Sequence, residues 1–263
     1  MIYVGAKTRI WGQLKQHVLE YIEDADFYFE PFGGGMNCVC RVPNTIPRFV
    51  SDIDRFNMAL WQGLQNGIKI PEELCSREEY EVARDISRLL VAPNWKGEYV
   101  DASELGEENI VRIACWRFLG SFSGHPFNGW VGSYKKRDYY GERRRGLMKQ
   151  VEDAIAFNDI AFLPPNDYRK SMDMVREIVP EGARGIIYCD PPYAHTKTYR
   201  GCEINHEEFW DWVREQKAAG HYVYVSEYTA PPDFNAVWEY DLLVGMRNKK
   251  LVCREYATEK LFI

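Results

Sequence analysis

The stretch "FEPFGGGM" at 29–36 carries an apolar run into an acid, a proline and three glycines. Glycines lack Cβ, so a ligand can approach the main-chain N–H groups there and the start of a following helix. Strand, glycine loop and helix in succession is how a parallel sheet holds a nucleotide-like ligand at its C-terminal edge. The GxGxxG spacing of dinucleotide sites is missing, and a tight strand-to-helix turn would use the same residues. The flanking segments must decide.

The next strand-like run, "RFVSD" at 48–52, ends in "SDID" at 51–54. Asp52 lies nineteen residues after Gly33, where an acid at a strand tip is placed to accept bonds from ribose hydroxyls. Asp54 is the alternative acceptor, or the N-cap of the helix that follows. Further strand-like runs are "DFYFE" (26–30), "GIIYCD" (185–190), "HYVYVS" (221–226), "VWEYDLLV" (237–244) and "KLVCREY" (250–256). Helical patterns cover 8–22 and 206–220, the second capped by Asn205 and ended by Gly220. Strands alternating with helices predict an α/β fold: a mainly parallel, Rossmann-like sheet with helices on both faces. From about 57 to 153 the pattern turns helical and then rich in Gly, aromatics and basic residues, as expected of an inserted subdomain.

A second chemical corner is "IIYCDPPY" at 186–193. Two prolines fix φ and remove two N–H donors after the strand-ending Asp190. The carbonyls of Asp190 and Pro191, the Asp190 carboxylate and the Tyr193 ring can together receive a flat, amine-bearing ring. Pro192 completes the rigid frame. A bare edge turn explains the prolines, though not the pairing of an acid with an aromatic.

Bulk properties narrow the class. With 263 residues, 46% of them hydrophobic and 27% charged, the chain can bury a full core in one large domain or a core with an insert. No run approaches the roughly 18 uninterrupted apolar residues of a membrane span, so no membrane role is expected. The start has no apolar block after a basic segment, so no secretion signal is read there. Seven cysteines without framework spacing suggest free thiols in a reducing compartment, and the Cys38–Cys40 pair, Cys189 and Cys202 lack metal-ligand spacing. No metal is expected, and His125, His195, His206 and His221 read as surface or packing residues. The net charge of −6 argues against a protein that coats nucleic acid with its whole surface. Yet "KKRDYYGERRRGLMK" at 135–149 holds seven basic and two acidic residues, a local +5. Such a stripe suits directed phosphate contact, or is simply a solvated face.

In order along the chain stand "YVGAKTRI" (3–10), "FEPFGGG" (29–35), "SDID" (51–54), "NDYRKSM" (166–172), "DPPY" (190–193) and "VYVSEYTAP" (223–231), with "EKLFI" at the end. This series resembles the Dam-like (D12 class) S-adenosylmethionine-dependent DNA adenine-N6 methyltransferases. The resemblance covers both sides of the chain but not its middle. It implies a catalytic, S-adenosyl-L-methionine-binding domain from 1–56 and 157–263, and a mainly helical DNA target-recognition subdomain inserted at 57–156. It also implies roles. Tyr3 and Lys7 would join the cofactor site, Lys7 pairing with the methionyl carboxylate. Glu30, Pro31, Phe32, Gly33, Gly34 and Gly35 would cradle the cofactor's amino-acid part. Asp52 would bind its ribose, and Asp167 with Tyr168 its adenine. Asp190, Pro191, Pro192 and Tyr193 would form the catalytic corner for a flipped-out adenine, Asp190 also bordering the cofactor. The inserted stripe would grip double-stranded DNA through Lys135, Lys136, Arg137, Arg143, Arg144 and Arg145, with Asn128 contacting a base. Ala6 and Tyr168 stand where Gly and Phe are commoner in the family, and neither change removes a polar contact. The expected setting is a monomer or weak dimer in the cytoplasm of a bacterial or phage-infected cell. N4 of cytosine, adenine in RNA, or a catalytically silent DNA-binding role stay open, since a conjugated exocyclic amine suits the same corner.

Overall fold

Side chains alternate across a strand, so a strand buried on both sides is mainly apolar, as in the central run Gly185–Cys189, buried at every residue. The computed structural model describes residues 3, 5–91, 99–133, 137–194, 196, 203–243 and 256–263. In chain order these form α1 (Trp11–Val18), β1 (Phe27–Glu30), β2 (Arg48–Val50), α2 (Arg55–Gln65), α3 (Arg77–Leu90), α4 (Glu107–Phe118) and α5 (Tyr139–Glu152). Then follow β3 (Ile160–Phe162), α6 (Tyr168–Ile178), β4 (Gly185–Cys189), α7 (His206–Ala218), β5 (Tyr222–Glu227), β6 (Ala236–Leu243) and β7 (Tyr256–Phe262). The strands make one sheet in the order β3-β2-β1-β4-β5-β7-β6. β7 runs antiparallel to both of its neighbours, and the pairings among the first five strands are parallel. The α/β, Rossmann-like expectation holds.

The alternation sorts the core onto two faces. Tyr28, Val50, Ile186, Tyr188, Tyr224 and Leu261 point to one face, against α1, α2 and the helices α3–α5. Phe27, Phe29, Phe49, Ile187, Cys189, Val223 and Val225 point to the other, against α6 and α7. The first cluster runs without a break from the sheet into Tyr80, Ala83, Trp116, Phe118, Tyr140 and Leu147. Between α2 and β3 the described elements are helical, apart from a single bridge between Ser121 and Trp130. A division at 56/57 falls inside α2, whose Phe56, Met58, Leu60 and Trp61 are buried in the sheet-facing cluster.

Local chemistry sets the helix starts. Asp54, Asp138, Asp167 and Asn205 each accept backbone N–H bonds at an N-cap, and Ser76 with Glu79 forms a capping box. Asp54 is therefore a cap. α1 is shorter than the 8–22 pattern, because the chain enters through a 3-10 turn at Lys7–Arg9 and leaves through another at Ile22–Asp24. The run at 250–256 lies outside the described residues except for Tyr256. The partner of β6 is the segment after it, Tyr256–Phe262. No α-helix follows the glycine loop, contrary to expectation. Gly34 (φ +49°) and Met36 (φ +52°) turn left-handed, only a 3-10 turn at Val39–Arg41 forms, and Pro43 and Pro47 come next.

Candidate active site

In an open parallel sheet, ligands sit beyond the carboxyl ends of strands where the strand order reverses. Here that point lies between β1 and β4, which are neighbours in the sheet although far apart in sequence. β1 ends at Glu30 and β4 at Cys189, so the glycine loop and the Asp190 corner emerge side by side.

The glycine loop is held by its own donors. Gly33 N–H donates to the Ser51 carbonyl (2.8 Å), and Gly34 N–H donates to the Asp52 carboxylate (2.8 Å). Asp52 also accepts from the Asp54 N–H (2.8 Å) and from Asn57 Nδ2 (3.1 Å). Burial, reinforced by Asp54, pushes the Asp52 carboxyl up to about 6 against these hydrogen bonds. A Cβ on Gly33 would lie 2.6 Å from Val50 Cγ2, and one on Gly35 would lie 2.8 Å from Tyr3 Cβ. Tyr3 thus lies against the loop, its ring 6.0 Å from that of Phe118. At the end of β1, Glu30 is buried, accepts from the Tyr28 hydroxyl (2.7 Å), and is pushed by burial to about 8.

Lys7 ties the other half together. Its Nζ lies 2.7 Å from Asp190 Oδ1 and 3.2 Å from Glu259 Oε1, and it donates to the Tyr193 hydroxyl at 2.7 Å. Tyr193 in turn donates to Glu259. Burial opposes the lysine charge, but the Asp190 and Glu259 carboxylates outweigh it and hold the amine above its ordinary value. Asp190 is raised to about 6, chiefly by burial, with Lys7 pulling it down and Glu259 pushing it up. The Tyr193 ring meets Tyr228 edge-on at 4.7 Å. Pro191 is buried and Pro192 half-buried, so the corner is packed as well as stiff.

A sequence model of the D12 class N6 adenine-specific DNA methyltransferase family matches residues 3–228. That span takes in the lysine segment, the glycine loop, the strand-end acids and the Asp190 corner. The chain belongs to this family. No curated protein gives a significant match. The protein is an adenine-specific DNA methyltransferase acting at N6, and its substrate is DNA.

In the methyltransferase, the structure brings together Tyr3, Lys7, Glu30, the glycines, Asp52, Asp190 and Tyr193 at adjoining strand ends. Asp167 caps α6, accepting from the N–H groups of Arg169 (2.8 Å) and Lys170 (3.1 Å), and pairs with the Arg169 side chain. Tyr168 is buried against Phe32, Phe209 and Trp212, with ring centroids 5.6, 5.6 and 5.0 Å away. Phe32, in the glycine loop, therefore links that loop to α6.

The basic stripe divides. Arg143 is buried and donates to the carbonyls of Leu119 (3.0 Å) and Ser121. Its guanidinium braces α5 against the chain after α4, which removes it from the phosphate-binding set. Arg137 and Arg145 are exposed, Arg137 held by Glu142 and Arg145 lying 3.7 Å from Asp138. Arg144 is half-buried and Asn128 exposed. Lys135 and Lys136 lie outside the described residues.

Sequence reasoning missed Glu227 and Glu259 as members of the site. Glu227 ends β5, accepts from the N–H groups of Ala194 (2.9 Å) and Tyr228 (2.8 Å), and is pushed by burial to about 7. It borders a pocket of about 420 Å³ whose walls include Ala194, His206 and Trp210. Both glutamates stand within quoted motifs, "VYVSEYTAP" and "EKLFI". For Glu227 the signal was an acid ending a mainly apolar, buried strand, whereas Glu259 sits between Thr258 and Lys260 and gives no such signal. Among the described residues no group of His, Cys, Asp and Glu could hold a metal ion, and no helix is long and apolar enough to cross a membrane.

Proposed function

We propose that this methyltransferase binds S-adenosyl-L-methionine at the β1–β4 switch point and methylates an adenine flipped out of duplex DNA at a specific site. The observation that carries the reading is the corner at the end of β4. There the Asp190 carboxylate, the Pro191 carbonyl and the Tyr193 ring stand beside the glycine loop.

The residues present fit the cofactor by their chemistry. The Lys7 ammonium suits its carboxylate and Glu30 its ammonium group, as the Asp52 carboxylate suits ribose hydroxyls. At Gly33 and Gly35 a side chain would collide with the walls, so the loop must stay bare there. Tyr3, Pro31, Phe32 and Gly34 complete the cradle, and Asp167 and Tyr168 border the adenine end. When bound, the cofactor supplies an electrophilic methyl group.

The protein's own part is positioning and electrostatics. The adenine amine is a poor nucleophile because its lone pair is delocalised into the ring. Asp190 and the Pro191 carbonyl accept its two N–H groups, which localises that lone pair. Asp190 does so only as the carboxylate. Tyr193 replaces stacking lost on flipping, and Pro192 keeps the corner rigid. The helical region 57–156 reads the target, with Arg137, Arg144 and Arg145 on phosphates and Asn128 near a base. Lys135 and Lys136 would join them. The free cysteines among the described residues fit a reducing, cytoplasmic setting, in a bacterium or a phage-infected cell. The association state is proposed as monomer or weak dimer.

Nucleoside mass spectrometry of DNA and RNA treated with the protein and S-adenosylmethionine tests this reading. N6-methyldeoxyadenosine in duplex DNA at a fixed sequence is expected. N4-methyldeoxycytidine, or methylation of RNA alone, would contradict it.

A further inference from the structure

Helix α5 has two sides with different work. Tyr140, Arg143, Leu147 and Gln150 are buried at spacings of three and four residues, while Arg145 and Lys149 are exposed on the opposite side. At its inner end Gln150 Nε2 donates to two successive carbonyls of the glycine loop, Gly35 (2.8 Å) and Met36 (3.2 Å). Those carbonyls converge because Gly34 and Met36 are both left-handed, and for Met36 that conformation is unfavourable without outside support. Just past the helix, Ile155 N–H donates to the Cys40 carbonyl (2.9 Å), and Arg48 reaches the Ile155 (2.7 Å) and Ala156 (2.8 Å) carbonyls. The same helix therefore carries exposed cations on one side and grips the glycine loop from the other.

We infer that Gln150 is a positioning residue that couples duplex binding to cofactor affinity: it transmits the seating of α5 to the Gly34–Met36 turn. The inference rests on the reading above, with the glycine loop as cofactor cradle and α5 as a DNA contact. Arg145 and Gln150 are five residues apart, about 7.5 Å along a helix, so a small shift of α5 reaches the loop with little loss. Removing the amide leaves two buried carbonyls without this donor and frees Met36 to relax. Coupling between sites is reciprocal, so the same contact would let the bound cofactor favour DNA.

The test measures S-adenosylhomocysteine affinity by calorimetry on the full-length protein, with and without saturating fragmented plasmid DNA free of N6-methyladenine. For the unaltered protein the DNA is expected to shift the Kd at least about fivefold. In Gln150→Leu the shift should fall below about twofold, with DNA affinity kept within about threefold. An unchanged shift in the variant, or no shift in the unaltered protein despite normal DNA binding, would overturn the inference. Failure to bind any DNA would instead overturn the reading on which it rests. If Gln150→Leu does not fold, hydrogen exchange of the unaltered protein decides. Amides of 34–37 should gain protection when DNA alone is added, and no gain would overturn the coupling.

Discussion

At Asp190 a carboxylate must stay ionised in surroundings that favour its neutral form. Burial raises it to about 6, although Lys7 sits 2.7 Å away. A protonated Asp190 is a poorer acceptor for the amine, so activity should be full above pH 7 and fall as pH drops through about 6. Below that the fall should approach tenfold per unit in kcat/KM. A profile flat from pH 8 to pH 5 would remove Asp190 from the acceptor role. Asp190 was legible because the two prolines after it have few other uses, Asp52 because it stands at a strand tip nineteen residues after Gly33, and Lys7 only through the family resemblance. Glu259 was not. In "EKLFI" it reads as one acid beside a lysine, and only the sheet places it against Tyr193 and Lys7.

Among the elements, α5 shows how a charge count misleads. A local +5 locates a basic segment but does not say which arginines face water. Helical spacing with Tyr140, Leu147 and Gln150 puts Arg143 inside, while Arg145 stays out. Arg143→Ala strands the Leu119 and Ser121 carbonyls and should cost about 2–4 kcal/mol of stability, seen as a lowered Tm. Arg145→Ala should leave Tm unchanged within about 1 °C and reduce the salt dependence of DNA binding by about one unit of slope. Equal thermal effects from the two substitutions would contradict this division of the helix. The buried strands β1, β2, β4 and β5 and the capped helix α7 were readable from pattern, whereas β3, only partly buried at Ala161 and Phe162, was not. The helix expected after the glycine loop failed because two left-handed residues and two prolines outweigh its apolar content.

On the scale of the molecule, the parallel sheet and its two covered faces followed from apolar strands alternating with amphipathic helices. How the helical middle attaches did not follow, because packing between distant segments leaves no local pattern. One apolar cluster joins the sheet to α3, α4 and α5. We therefore expect a single calorimetric unfolding transition, with van't Hoff and calorimetric enthalpies equal, and two separated transitions would contradict a shared core. The same continuity lets residues from both ends of the chain and from its middle meet at one sheet edge. That meeting supports the central claim, that Asp190 readies an adenine amine there. Its most direct test is the single-turnover methylation rate of Asp190→Ala on duplex DNA, measured beside its S-adenosylhomocysteine affinity. The account predicts a rate at least about 100-fold lower with affinity kept within about threefold. A variant that methylates within tenfold of the unaltered protein would contradict it.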